Sequence, residues 1–81
     1  MKDLTEQQYL LSKDSIIQLV SAELEIPAED IQMDDDLLLL GLDSVRLMTL
    51  VGIWQEQGSN VSFEGLAEEP TLQAWIVKIL N

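Results

Sequence analysis

Apolar residues recur along the chain at helical spacing between polar breaks, and this pattern predicts four helices. The apolar stripe of the first helix consists of Ile16, Leu19, Val20 and Leu24. This stripe follows one helical face, so the helix is predicted to end near Glu23. Its start is predicted between Thr5 and Ser12. The segment Thr5-Glu6-Gln7-Gln8 fits a capping box, whereas Lys13 interrupts the earlier apolar pattern.

A second helix is predicted from about Ser44 to Gln57. Its main apolar stripe consists of Leu47, Leu50, Val51 and Trp54. Gly58 follows it as a natural left-handed stop. Before it, Gly41 allows a sharp turn, and either Asp43 or Ser44 can cap the first turn of the helix. Ser44 is therefore expected to lie at a helix start and to face solvent.

Two further helices are predicted in the last third of the chain. Ser62 can cap a short third helix that ends before Pro70, and Gly65 in its middle weakens it. Much of its order must therefore come from docking against its neighbours. Thr71 is predicted to cap a fourth helix that runs to the chain end. The apolar stripe of this helix consists of Leu72, Trp75, Ile76, Ile79 and Leu80.

Residues 25–42 have no sustained period and contain Pro27, so they are predicted to form a long connection in which a short helical turn can occur. A connection this long in a compact domain usually has a function. Its expected apolar anchors are Ile26, Ile31, Leu37 and Leu42. Some of the four leucines at 37–40 are expected in the core and others on the surface. The predicted fold is all-α, a small four-helix bundle with a long connection before helix two and a short third helix.

Length and composition limit the possible functions. With 81 residues, the chain is expected to form a single domain over residues 1–81 that buries about 60% of its unfolded surface. It contains neither cysteine nor histidine, which excludes disulfides, Cys/His metal sites and imidazole catalysis by its own side chains. No apolar run approaches the roughly 18 residues of a membrane span, and no signal-peptide core follows Met1. A cytoplasmic location is therefore expected.

The chain is strongly acidic, with 15 acidic and 4 basic residues and a formal net charge of −11. Such a charge repels nucleic acid and anionic membranes and favours basic protein partners, although it can also simply keep a small domain in solution. The run Asp34-Asp35-Asp36 lacks the ligand alternation and the glycine of a calcium loop. It is interpreted as a solvated acidic run, and no metal site is predicted.

Ser44 is the main candidate for chemistry. A helix N-terminus carries unsatisfied N–H groups and a partial positive charge, so it can accommodate a phosphate attached at that hydroxyl. On residue type alone, a plain helix cap is the favoured explanation of Ser44. A hydrolase is disfavoured because Ser44 has no histidine partner and no Gly-x-Ser-x-Gly elbow.

Two segments resemble a known family. The run Asp36-Leu37-Leu38-Leu39-Leu40-Gly41-Leu42-Asp43-Ser44-Val45-Arg46-Leu47-Met48 resembles the signature around the G-L-D-S-[VL] core of acyl, peptidyl and aryl carrier proteins. The segment Pro70-Thr71-Leu72-Gln73-Ala74-Trp75 resembles the P-T-[IL]-x-x-W segment of carriers in nonribosomal peptide synthesis. The resemblance implies that 4′-phosphopantetheine from coenzyme A is esterified to Ser44, within a motif completed by Gly41, Leu42 and Asp43.

Within this family, Gly-Leu-Asp-Ser-Val-Arg and the tryptophan segment are most similar to aryl carriers of siderophore assembly. Gly-Leu-Asp-Ser alone also occurs in polyketide carriers, so an acyl carrier of polyketide or fatty-acid type is an alternative. The resemblance implies a monomeric carrier that is not an enzyme. Its partners would be a phosphopantetheinyl transferase, an adenylating enzyme that activates an aryl or amino acid, and a condensation domain, with no nucleic acid or membrane. An unmodified acidic helical adaptor remains the alternative.

The resemblance also implies a docking patch beside the serine, which consists of Val45, Met48, Phe63 and Ala67. Val45, Met48 and Gly52 form a second apolar stripe on helix two, and two such stripes can also mean deep burial. Arg46 lies two residues past Ser44. It is predicted either to pair with the prosthetic phosphate or an acidic group of a partner, or to be exposed and solvated.

Overall fold

The computed structural model describes residues 11–80, and all regular elements among them are helical. They comprise α1 (Lys13–Leu24), a 3-10 turn (Ala28–Asp30), α2 (Ser44–Glu56), α3 (Phe63–Glu68) and α4 (Leu72–Leu80). The predicted all-α fold, with four helices, a long connection before α2 and a short α3, is confirmed. The predicted capping box at Thr5 lies outside the described residues.

The starts of the helices are defined by side-chain caps. The Ser12 hydroxyl accepts the Ser15 N–H at 3.0 Å, and the Ser15 hydroxyl accepts the Ser12 N–H at 2.9 Å. Helix α1 therefore begins at the late end of the predicted interval. Ser62 caps α3 and Thr71 caps α4 as predicted, each accepting an N–H three residues further along. These caps satisfy amides that would otherwise have no partner in the first turn.

One apolar core joins the four helices and the long connection. Its buried side chains are Ile16, Val20, Leu24, Ile31, Leu37, Leu42, Leu47, Leu50, Val51, Trp54, Val61, Leu66, Leu72, Trp75 and Ile79. Trp54 and Trp75 meet edge to face, with ring centroids 5.8 Å apart and an interplanar angle of 74°, an arrangement favoured by the ring quadrupoles. Leu80 differs from its predicted place in the α4 stripe, because it lies exposed in the last turn.

The connection between α1 and α2 is anchored to the start of α4. The Leu37 N–H donates to the Pro70 carbonyl at 2.8 Å, and the Gln73 N–H donates to the Met33 carbonyl at 3.0 Å. The four-leucine run is divided as predicted, since Leu37 is buried and Leu39 is 84% exposed. The connection is therefore held in place both by backbone hydrogen bonds and by buried apolar side chains.

The acidic run has a structural role that its composition did not indicate. The Asp35 carboxylate accepts the Gln32 N–H at 2.8 Å, and the Asp36 carboxylate accepts the Leu38 N–H at 2.9 Å. Both are local side-chain to backbone bonds of the kind that stabilise turns. Asp34 and Asp36 are exposed, as expected for a solvated run, and Asp35 and Asp36 additionally stabilise turns of the connection.

Candidate functional site

Ser44 is the first residue of α2, and it is exposed. The cap of this helix is Asp43, whose Oδ1 accepts the Arg46 N–H at 2.8 Å. The Asp43 carbonyl also accepts the Leu47 N–H at 2.9 Å. The structure thus decides between the two predicted caps in favour of Asp43. Within residues 11–80, no hydrogen bond involves the Ser44 hydroxyl, so the cap leaves this oxygen available for chemistry.

The turn before the helix holds Ser44 at the surface. Gly41 has a φ of 115°, a backbone conformation that residues with a side chain rarely adopt. Leu42 is buried, and its N–H donates to the Leu37 carbonyl at 3.1 Å. Leu42 therefore anchors the chain in the core two residues before Ser44. The motif residues 41–43 therefore shape the turn and cap the helix that follows it.

The first turn of α2 also has backbone donors at the serine. The Arg46 and Leu47 amides are bonded to Asp43, whereas no hydrogen bond within the described part of the chain uses the Ser44 or Val45 amide. Amides at a helix start attract negative charge. An exposed hydroxyl beside such amides fits the phosphate ester of a prosthetic group.

Arg46 connects the serine helix to α1. Its side chain is half-buried, and Nη1 donates to the Glu23 carbonyl at 3.1 Å. Glu23 lies in the last turn of α1, where carbonyl groups have no partner within their own helix. The expectation of a fully solvated arginine is therefore wrong. Pairing of Arg46 with a prosthetic phosphate or with a partner stays a prediction.

The predicted docking residues lie on two neighbouring helices. On α2, Val45 is 71% exposed and Met48 is 62% exposed, so deep burial of the second apolar stripe is ruled out for these residues. On α3, Phe63 and Ala67 are half-buried and pack against the core. Helix α3 packs against both α2 and α4. These four residues, which we call the α2–α3 patch, thus form an exposed part on α2 and a half-buried part on α3.

Two backbone carbonyl groups that accept side-chain hydrogen bonds could not be identified from residue types alone. The Glu23 carbonyl binds Arg46, and the Leu66 carbonyl accepts the indole N–H of Trp75 at 2.8 Å. Both acceptors are backbone atoms, which every residue has. The available signal for Leu66 was Pro70, four residues later, because proline has no N–H to bond the preceding helical carbonyl.

Other kinds of site are not found in the described part of the chain. Residues 11–80 contain no group of three or more acidic side chains placed to hold a metal ion. None of the helices described there combines the length and the apolar composition needed to cross a bilayer.

Comparison with known proteins identifies the family. Residues 14–76 match the family model described as a phosphopantetheine attachment site. Isochorismatase from Bacillus subtilis is 41% identical over 71 residues, which cover 88% of this chain and 23% of that protein. Phenyloxazoline synthase from Mycolicibacterium paratuberculosis is 40% identical over 62 residues, covering 76% of this chain and 5% of that protein.

Enterobactin synthase component B from Escherichia coli is 45% identical over 42 residues, covering 52% of this chain and 15% of that protein. The chain spans less than a quarter of the length of these curated relatives. No solved structure is significantly similar to it. The family model nevertheless matches well over half of the chain. The chain therefore belongs to the phosphopantetheine-attachment family, and it is a carrier whose prosthetic group is covalently attached 4′-phosphopantetheine.

Proposed function

We propose that Ser44 is the attachment residue and that the carrier holds an aryl group as a thioester. It would pass this group from an adenylating enzyme to a condensation partner in siderophore-type nonribosomal peptide biosynthesis. The observation that carries the proposal is the exposed Ser44 at the first position of α2, where Asp43 supplies the cap and leaves the serine hydroxyl unused.

The chain's own residues would present the prosthetic group. Ser44 supplies the oxygen of the phosphate ester, and the amides of Ser44 and Val45 offer hydrogen bonds to a phosphate there. The chain has no cysteine, so a thioester requires the thiol that the prosthetic group supplies when bound. Tethering keeps the acyl group at high effective concentration for successive active sites.

The aryl cargo is supported by the motifs and by the names of the relatives. Residues 41–46 and 70–75 resemble those of aryl carriers. One relative is named phenyloxazoline synthase, which denotes a product with a phenyl ring, and another is a component of enterobactin synthase. The cargo is chosen by the loading enzyme, because the aryl group would be carried at the end of the prosthetic group.

The proposed setting follows from charge and composition. We place one monomeric carrier unit within residues 1–81, in the cytoplasm, where a phosphopantetheinyl transferase would modify it. The net charge of −11 favours partners with basic docking surfaces and opposes binding to nucleic acid or anionic membranes. The unit itself would be a substrate of its partner enzymes.

Intact-protein mass spectrometry tests the attachment site. After incubation with coenzyme A and a broad-specificity transferase, the wild type is expected to gain one phosphopantetheine, and Ser44→Ala is expected to gain none. Ser62→Ala is the matched control, because Ser62 is another exposed serine at a helix start. An unmodified wild type would favour the adaptor alternative, and a modified Ser44→Ala would reject Ser44 as the site.

A second experiment tests the cargo. The modified carrier is incubated with ATP and adenylating enzymes specific for salicylate, for 2,3-dihydroxybenzoate or for amino acids, and the thioester is detected by mass spectrometry. We expect loading by the aryl-acid enzymes. Loading only with malonyl or fatty acyl groups by their own transferases would instead support a carrier of polyketide or fatty-acid type.

A further inference from the structure

Helix α3 has few apolar contacts of its own with which to define its orientation. It contains only the six residues Phe63–Glu68, and Leu66 is its one buried side chain. A helix this short is not stable alone in water. Phe63 and Ala67 are only half-buried against the core, so together with Leu66 they determine the tilt and rotation of the helix incompletely. Contacts from other helices are therefore expected to contribute to the direction in which Phe63 and Ala67 point.

Trp75 on α4 bonds the end of α3. The carbonyls of the last turn of a helix have no intrahelical partners. The Leu66 carbonyl would ordinarily accept the N–H four residues later, but that residue is Pro70, which has none. The indole N–H of Trp75 donates to this carbonyl at 2.8 Å. Trp75 thus replaces the donor that the proline removes.

Lys78 bonds the neighbouring carbonyl. Its Nζ donates to the Gly65 carbonyl at 2.7 Å and lies 3.5 Å from the Glu69 carboxylate. Trp75 and Lys78 are three residues apart on α4, a spacing that places both on one face of that helix. Two side chains of α4 therefore hold two consecutive carbonyls of α3.

We infer that Trp75 and Lys78 are positioning residues that set the orientation of α3, and through it the α3 half of the α2–α3 patch, for the docking of a partner enzyme. This inference rests on the proposed function, because it assigns Phe63 and Ala67 to docking. Neither Trp75 nor Lys78 needs to touch the partner or the prosthetic group. Their effect is transmitted through the backbone of α3.

Lys78 allows the positioning role to be separated from core packing. Trp75 is completely buried against Trp54, so replacing it also opens the core. The Lys78 side chain is 32% exposed, and Lys78→Met keeps most of its apolar stem while removing the donor. Lys78→Arg retains a donor and serves as the conservative rescue. Lys13→Met is the matched control, because it removes the same charge from an exposed position on α1.

The test uses the full chain, modified and loaded with its aryl group, and measures transfer to a condensation enzyme. For Lys78→Met, we expect the KM of that enzyme for the loaded carrier to rise by roughly two- to tenfold, the range of one lost hydrogen bond, while kcat is retained. Lys78→Arg is expected to restore most of the affinity, and Lys13→Met to match the wild type. An unchanged KM in Lys78→Met, or an equal rise in Lys13→Met, would overturn the inference.

Hydrogen exchange of the unloaded protein provides a readout that needs no partner. Amides of α3 are expected to exchange faster in Lys78→Met, whereas those of α1 keep their wild-type rates. If the wild type never acquires a prosthetic group, the proposed function fails, and the exchange comparison still decides whether Lys78 holds α3. Unchanged exchange in α3 would show that Lys78 does not hold it. If the wild type loads and transfers normally but Lys78→Met has no effect on KM, only the positioning role is rejected.

Discussion

The Arg46 guanidinium lies 3.1 Å from the backbone carbonyl oxygen of Glu23, and this contact joins the start of α2 to the end of α1. A cation near the start of its own helix is mildly unfavourable, but the last carbonyls of a neighbouring helix attract it. The two dipole effects therefore oppose each other at Arg46. What remains is a directional hydrogen bond that holds the serine-bearing helix against α1.

Replacement of Arg46 is therefore expected to affect stability. Arg46→Ala should lower the free energy of unfolding by about 0.5–1.5 kcal/mol, the net value of one hydrogen bond. Urea denaturation followed by circular dichroism measures this change. Lys13→Ala, at an exposed position in α1, is the charge-matched control. Equal stability of Arg46→Ala and the wild type would show that the contact contributes nothing to the fold.

The cap of α2 should matter for both stability and modification. Asp43→Ala is expected to lower the free energy of unfolding by about 0.5–2 kcal/mol and to slow attachment of the prosthetic group at Ser44, because the first turn frays. Asp43→Asn retains an acceptor and should be close to the wild type. Asp34→Ala removes an exposed carboxylate elsewhere and serves as control. Thermal unfolding measures the change in stability, and a time course of modification measures the rate of attachment. If Asp43→Ala matches the wild type in either measurement, capping does not affect that property.

Leu50 tests the register of α2. It is fully buried in the core, so Leu50→Ala should lower the free energy of unfolding by about 2–5 kcal/mol, as expected for a cavity left by a large side chain. The neighbouring Thr49 is exposed, and Thr49→Ala should change stability by less than about 0.5 kcal/mol. Chemical denaturation of both variants gives the comparison. Similar effects at the two positions would contradict the assigned buried face.

The exposed part of the α2–α3 patch should act in transfer and not in folding. Met48→Glu should slow aryl transfer to the condensation partner by at least about fivefold, corresponding to the ~1 kcal/mol expected when a hot-spot contact is lost. Val77→Glu is a matched control, because Val77 is 63% exposed on α4 and Met48 is 62% exposed on α2. Single-turnover transfer and melting temperature are measured together. Equal transfer rates in the two variants would remove the docking role of Met48.

Replacement of Gly52 and of Gly41 by alanine is expected to change the free energy of unfolding in opposite directions. At Gly52, inside α2, an added Cβ meets no heavy atom within 4 Å, so Gly52→Ala should raise the free energy of unfolding by about 0.5–1 kcal/mol. At Gly41, the positive φ of 115° makes any side chain strained, so Gly41→Ala should lower it by about 1–3 kcal/mol. Denaturation curves test both signs. A stabilising Gly41→Ala would mean that the turn before Ser44 adopts another conformation.

Local spacing in the sequence was sufficient to predict the helices and the position of the serine. The caps Ser62 and Thr71 and the buried stripe of α2 depend on residues only three or four positions apart, where helix geometry relates sequence directly to structure. The same reasoning placed Ser44 at an exposed helix start. Its role as the attachment residue stays a proposal.

Tertiary structure decided the features that involve distant parts of the chain. The apolar pattern of α2 allowed Val45 and Met48 to be buried or exposed, and only the packing of the bundle leaves them in solvent. The partners of Arg46 and Trp75 are backbone carbonyls of Glu23 and Leu66. Every residue has such a carbonyl, so no side-chain pattern identifies the acceptor until the fold brings donor and acceptor together.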